Sequence, residues 1–70
     1  MDVRWRLGKR VQLLRQRAGV SQEELAERAG IHRTYVSGVE RGVRNPTITV
    51  LEKLAKGLGV ELGELVSFEG

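Results

Sequence analysis

The 70-residue sequence contains no cysteine and only one histidine. Without cysteine the chain can form neither disulfides nor thiolate metal sites, and this is typical of proteins from a reducing cytosol. His32 has no partners with the spacing of a zinc site or of a nucleophile and its base. The composition therefore argues against an enzyme, and we expect no metal, cofactor or small-molecule ligand.

Long apolar runs are absent as well. Residues 1–7 carry charge but no hydrophobic stretch follows them, so they predict neither a signal peptide nor a membrane anchor. Linkers, low-complexity tracts and array-forming repeats are also missing. We expect one soluble, cytoplasmic domain covering residues 1–70, with a core small enough to need helix caps or a partner chain.

Negative charge is scarce in the first two-thirds of the chain. Residues 1–44 hold ten Lys or Arg against five Asp or Glu, whereas residues 45–70 hold two against four. The net charge of +3 therefore combines a basic part with a mildly acidic part. This asymmetry fits a polyanion-binding face, although a solvated basic surface explains the charge alone equally well.

Four glycines divide the chain, and each is followed by a β-branched apolar residue: Gly19, Gly30, Gly42 and Gly59. A glycine just past a helix can adopt the left-handed conformation, and the next apolar residue then folds back onto the last turn. Ser21 and Glu24 form a capping box at the start of the second helix, and Thr47 is the expected N-cap of the fourth. These signals predict five short helices, three of them over about residues 3–18, 33–41 and 62–66.

Apolar residues recur with helical spacing inside these segments, so the fold class is predicted to be all-α, with five short helices around one core. Gly57 is expected to weaken the fourth helix slightly, and Phe68 has no evident pocket. The residues expected to face inward are Leu7, Val11, Leu14, Ala18, Leu25, Ala26, Ala29, Val36, Val39, Ile48, Leu51, Leu54, Ala55, Leu58, Leu62, Leu65 and Val66.

The third helix has two unlike faces. At 100° per residue, one side gathers its valines, whereas the other carries only Arg33, Thr34, Ser37, Gly38 and Arg41. His32 occupies its N-cap, where Ser, Thr, Asp or Asn is preferred. Short helices joined by a glycine turn, with the second exposing a polar face, indicate a helix-turn-helix whose second helix can enter a DNA major groove.

An ordered set of residues resembles the phage repressor and Cro class of helix-turn-helix proteins. The matching runs are Ser21-Gln-Glu-Glu-Leu-Ala-Glu-Arg-Ala-Gly-Ile31, Tyr35-Val-Ser37, Val39-Glu-Arg-Gly42, Arg44-Asn-Pro-Thr47, Leu51-Glu-Lys-Leu-Ala-Lys56 and Leu58-Gly-Val60. Within that class, the small size and the run from His32 to Ser37 most resemble the controller proteins of bacterial restriction-modification systems. The resemblance implies a lambda-repressor-like fold and sequence-specific DNA binding.

The resemblance also implies roles for residues of the recognition helix. Arg33 and Thr34 correspond to base-reading positions, and Ser37 lies one turn further on the same face. Gln22 corresponds to a position that contacts phosphate and braces the start of this helix. Gly38 stands where several family members carry a long base-reading side chain, so we expect DNA shape to contribute to specificity.

Further backbone or minor-groove contacts are expected around the end of the third helix. Arg41 and Arg44 add positive charge, and Arg44 suits a phosphate or a narrow minor groove. Tyr35 is as well suited to packing as to a phosphate contact. Asn45 and Thr47 can bind phosphate, although Asn-Pro is also an ordinary turn signal.

The family carries an ion pair that corresponds to Arg15 and Glu40, and we assign this pair to the scaffold.

A single recognition helix is too little for tight specific binding, so we expect a homodimer on a palindromic operator with half-sites one helical turn apart. The dimerisation segment is placed at residues 58–70, and the candidate interface residues are Leu62, Leu65, Val66 and Phe68. Part of that set must also close the monomer core.

The expected function is autoregulatory transcription control in a restriction-modification system, with RNA polymerase as a further candidate partner. Another small regulator of this class, an antitoxin or a protein-binding module are the alternatives.

Overall fold

The computed structural model describes residues 2–68, and all regular secondary structure within that range is helical. In chain order they are α1 (Val3–Ala18), α2 (Gln22–Ala29), α3 (Arg33–Glu40), α4 (Ile48–Leu58) and α5 (Leu62–Leu65). The predicted all-α class and the five helices are confirmed. Across residues 2–68, the helices are all too short or too polar to cross a membrane.

Local side-chain and backbone signals set the helix ends. The Ser21 hydroxyl accepts a hydrogen bond from the Glu24 amide at 3.0 Å, and the Thr47 hydroxyl accepts one from the Val50 amide at 3.2 Å. The four predicted stop glycines have φ between 71° and 76°, the left-handed region that glycine adopts without a Cβ penalty. The residue after a stop donates its amide back into the helix, as Ile31 does to the Ala26 carbonyl at 3.0 Å.

One apolar cluster fills the space between the helices. Its buried members are Leu7, Val11, Leu14, Val20, Leu25, Ala26, Ala29, Val36, Val39, Leu54, Ala55, Leu58 and Leu65. Three inward assignments, Ala18, Ile48 and Val66, are wrong. Val66 is 40% exposed because it lies just past the last residue of α5, as its C-cap. Ala18 is exposed because it lies in the last turn of α1, and Ile48 is 65% exposed because it begins α4 at the edge of that helix's apolar face.

Two glycines without a turn role allow helices to approach closely. A Cβ on Gly8 would lie 2.5 Å from the Val39 carbonyl oxygen, so α1 crosses α3 nearly backbone to backbone. A Cβ on Gly57 would lie 3.0 Å from a Leu25 methyl and 3.3 Å from the Ala29 nitrogen, where α4 crosses α2. The expectation that Gly57 is simply unfavourable is therefore incomplete, because the crossing depends on its small size.

The C-terminal residues fold back against α1. The Arg10 guanidinium donates two hydrogen bonds, of 3.1 and 3.0 Å, to the Glu64 carbonyl. Leu65 is fully buried and thus closes the monomer core, whereas Val66 is 40% exposed. Phe68 does have a packing site, because it lies against the core cluster with the Arg6 guanidinium 5.4 Å from its ring centre. The last two residues of the predicted dimerisation segment, 69 and 70, lie outside the described residues.

Candidate nucleic-acid interface

The recognition helix α3 is anchored along one side only. Val36 and Val39 are 0% and 1% exposed, and they hold the helix against α1 and α2. On the opposite side Arg33 and Thr34 are exposed, and Ser37 is half-buried. The helix therefore offers solvent a polar strip on a firmly packed base.

A buried carboxylate fixes the far end of α3. Glu40 is 6% exposed, and its two oxygens accept hydrogen bonds from Arg15 at 2.6 and 3.1 Å. Gln22 donates its side-chain amide to the same carboxylate at 3.0 Å, and Arg15 also binds the Val20 carbonyl at 3.0 Å. These contacts join α1, the start of α2 and the end of α3, so they set the position of the recognition helix relative to its scaffold.

Gln22 therefore braces α3 through Glu40 at the end of the helix, and not at its start as the resemblance implied. A primary amide has two N–H donors. Since the bond to Glu40 uses one of them, the other is chemically able to donate to a phosphate at the start of α2.

The exposed Arg33 has an acidic neighbour that the sequence reasoning missed. Its guanidinium lies 3.9 Å from the Glu23 carboxylate, and the two side chains are 64% and 79% exposed. An exposed pair at this distance contributes little to stability, of order 0–1 kcal/mol. It leaves Arg33 accessible at the first turn of α3. The sequence does show acidic residues in the first turn of α2. Helix capping is enough to account for them, so they did not point to a partner for Arg33.

Gly38, which adds no side chain to the polar face, is covered by another residue. The Arg44 side chain crosses it: a Cβ on Gly38 would lie only 2.6 Å from Arg44 Cγ. The guanidinium carbon of Arg44 lies 5.1 Å from the centre of the Tyr35 ring. Arg44 thus occupies the surface that a side chain at position 38 would otherwise take, with its charge stacked beside Tyr35.

Polar groups continue beyond the helix. Arg41 forms the C-cap of α3 and is exposed, as are Asn45 and Lys53. Thr47 is also exposed, and its hydroxyl already caps α4. His32 occupies the N-cap of α3 without a side-chain capping bond, as its residue type predicts.

The described residues lack any group of three or more His, Cys, Asp and Glu side chains able to hold a metal ion.

The recognition surface is formed by Arg33, Thr34, Tyr35, Ser37 and Arg44. It consists of hydrogen-bond donors and positive charge on and beside an anchored helix. Such a surface is suited to base edges and phosphates.

Comparison with known proteins agrees with this geometry. A family model described as helix-turn-helix matches residues 11–65. The control protein C.BamHI of Bacillus amyloliquefaciens is 40% identical over 68 residues, which make up 96% of this chain and 84% of that protein.

Solved structures extend the similarity to the whole fold. The restriction-modification controller protein C.AhdI from Aeromonas hydrophila has a TM-score of 0.87 and 45% identity, over 89% of this chain and 94% of that one. The controller protein C.Esp1396I, solved as a tetramer in complex with its natural 35 base-pair operator, has a TM-score of 0.82 and 38% identity, over 87% and 80%. The predicted resemblance is confirmed, and the chain belongs to the Cro/C1-type helix-turn-helix family.

Proposed function

We propose that this protein is a sequence-specific, double-stranded-DNA-binding regulator of transcription. The observation that carries the proposal is the one-sided anchoring of α3, with Val36 and Val39 buried and Arg33 and Thr34 exposed on the opposite side. A helix of this kind can enter a major groove with its polar strip toward the bases while its apolar side keeps the fold intact.

Base reading is assigned to Arg33, Thr34 and Ser37. The Arg33 guanidinium can donate two parallel bonds to guanine O6 and N7, and a bidentate pair is worth about 1–3 kcal/mol of discrimination. Thr34 can contact a thymine methyl group or a phosphate. The hydroxyl of Ser37 can reach a base or a phosphate one turn further along.

Backbone and minor-groove contacts are assigned to the residues that surround this strip. The second N–H of Gln22 and the hydroxyl of Tyr35 are donors suited to phosphate, as are the side chains of Arg41, Asn45 and Thr47. Arg44 lies across Gly38, so its guanidinium extends the edge of the recognition surface and can bind a phosphate or a narrow minor groove. Because cation–phosphate contacts release counterions, affinity should fall steeply with salt.

The binding unit is proposed to be a homodimer on a palindromic operator. A single short recognition helix reads few base pairs, and C2 symmetry doubles the contact surface. The dimerisation segment is residues 58–70 of the single domain, in which Val66 remains exposed and Leu62 and Phe68 are half-buried. The related C.Esp1396I was solved as a tetramer on its operator, which supports an oligomeric binding unit.

The biological role best supported is autoregulatory control of a restriction-modification system, because C.BamHI and C.AhdI bear the names of control and controller proteins. Such a regulator acts on cytoplasmic DNA without catalysing a reaction, and needs no cofactor or small ligand. RNA polymerase is the further partner that promoter control implies.

DNA footprinting on the region flanking the protein's own gene tests the proposal. We expect two protected half-sites about one helical turn apart, with affinity that falls as salt rises. Absence of binding to these and other genomic fragments at low salt would contradict it and favour a protein-binding module.

A further inference from the structure

A groove runs between the outer face of α1 and the residues that follow α5. It encloses about 420 Å³. Two large apolar side chains are accessible on this side of the molecule: Trp5 is 42% exposed and Leu13 is 39% exposed. The groove lining includes Trp5, Arg6, Lys9, Arg10, Leu13 and Phe68.

The rim of this groove is cationic. Lys9 places its ammonium 5.3 Å from the centre of the Trp5 ring, and Arg6 places its guanidinium 5.4 Å from the centre of the Phe68 ring. Arg10 is held at the inner edge by its two bonds to the Glu64 carbonyl. An apolar floor with three positive side chains favours an occupant that carries both apolar groups and carboxylates.

The chain supplies such a segment itself. Glu61 at the N-cap of α5 and Glu64 within it are exposed, and Val66 is 40% exposed immediately after the helix. Residues 45–70 carry more acidic than basic side chains. Because Arg10 bonds to Glu64 and Phe68 lines the groove, the acidic segment directly adjoins the cationic groove on one side of the molecule. A surface with two adjacent and complementary parts can pair with its own copy about a two-fold axis.

We propose that the groove receives the segment around Glu64 and Val66 of a second copy of this chain, and that each copy reciprocates. Lys9 faces the partner's Glu64, and Trp5 and Leu13 cover the partner's Val66. This inference rests on the proposed dimer and adds the α1 groove to its interface. It also explains why Trp5 and Leu13, which lie on α1 outside the core, are apolar.

A charge-exchange experiment tests the pairing. In Lys9→Glu and in Glu64→Lys, both reciprocal sites of a homodimer become repulsive. Since two ion pairs are lost and replaced by repulsive contacts, self-association should weaken roughly tenfold or more in sedimentation equilibrium. An equimolar mixture should regain wild-type association, because both sites of the mixed dimer then pair opposite charges. Glu27→Lys, an exposed reversal on α2, is the matched control and should associate normally.

Trp5 provides an independent readout because it is the only tryptophan of the chain. Dilution of the wild-type protein below its dissociation constant should shift Trp5 emission to the red and increase its quenching by acrylamide. Glu64→Lys should show the diluted signature at concentrations where the wild type is dimeric. Circular dichroism shows whether each variant is folded. If a charge reversal unfolds the protein, the neutral substitutions Lys9→Gln and Glu64→Gln are used in its place.

The outcomes separate this inference from the dimer on which it rests. If the wild type is a dimer and these substitutions change neither association nor Trp5 emission, the groove assignment is overturned and the dimer proposal still stands. Failure of the mixture to regain association would overturn the Lys9–Glu64 pairing. A protein that stays monomeric both free and on operator DNA would overturn the dimer and the groove together.

Discussion

Replacing Gly38 with alanine should separate DNA binding from stability. Gly38 lies inside α3, where alanine is more favourable than glycine by about 1 kcal/mol. The added Cβ would come within 2.6 Å of Arg44 Cγ, and its three nearest heavy atoms all belong to that flexible side chain. Arg44 must therefore leave its place beside Tyr35, which forfeits a cation–π contact worth about 0.5–1 kcal/mol.

These two contributions nearly cancel, so the free energy of unfolding should change by less than about 1 kcal/mol in urea denaturation. Operator affinity should nevertheless fall, because Arg44 no longer extends the recognition surface. The loss should match that of Arg44→Ala, roughly tenfold per protomer or about 1.4 kcal/mol. The double variant should bind no worse than Arg44→Ala alone.

Fluorescence anisotropy with a labelled operator measures both affinities, and Glu27→Ala is the control because Glu27 is exposed on α2, outside the recognition surface and the dimerisation segment. Two results would refute the reasoning: wild-type operator affinity in Gly38→Ala, or losses that add up fully in the double variant.

Three further predictions concern the scaffold. Arg15→Met should lower the free energy of unfolding by roughly 3–5 kcal/mol because it strands the buried Glu40 carboxylate, and a double-mutant cycle with Glu40→Gln should show coupling above about 1 kcal/mol; additive losses would contradict this. Gly8→Ala should destabilise the fold by about 1–3 kcal/mol in urea, since its Cβ would meet backbone oxygens of α3, while Gly63→Ala should not destabilise it. Hydrogen bonds from the Arg4 side chain and backbone amide lower the pKa of Asp2 from 3.8 to about 2. The resulting stabilisation is present above pH 4 and is lost as the pH falls through 2. Asp2→Asn should therefore melt below the wild type near neutral pH and converge with it near pH 2.

Signals local in sequence predicted the helix boundaries well. The stop glycines need only their own left-handed φ and the apolar residue that follows, and the Ser21 and Thr47 caps need only an amide three residues away. The buried side of α3 was likewise predictable, because helical periodicity alone places Val36 and Val39 together.

Features set by how helices cross were not predictable in this way. The helix propensity of glycine does not predict that a carbonyl oxygen of another helix lies next to Gly8. Nor does it predict that Arg44, six residues further along the chain, covers Gly38. Periodicity also assigned Ile48 to the core, although the packing of α4 begins beyond its first turn. The Arg33–Glu23 contact depends in the same way on the angle between α2 and α3.

The base-reading role of Arg33 is the central claim, and one comparison of dissociation constants tests it most directly. Wild type, Arg33→Ala and Arg44→Ala should each be titrated against the operator and against random DNA of equal length at the same salt concentration. Arg33→Ala should lose about 1–3 kcal/mol per half-site on the operator and much less on random DNA, so that the ratio of the two affinities collapses. Arg44→Ala should weaken binding to both DNAs by similar factors. Equal losses of Arg33→Ala on operator and random DNA would contradict the account.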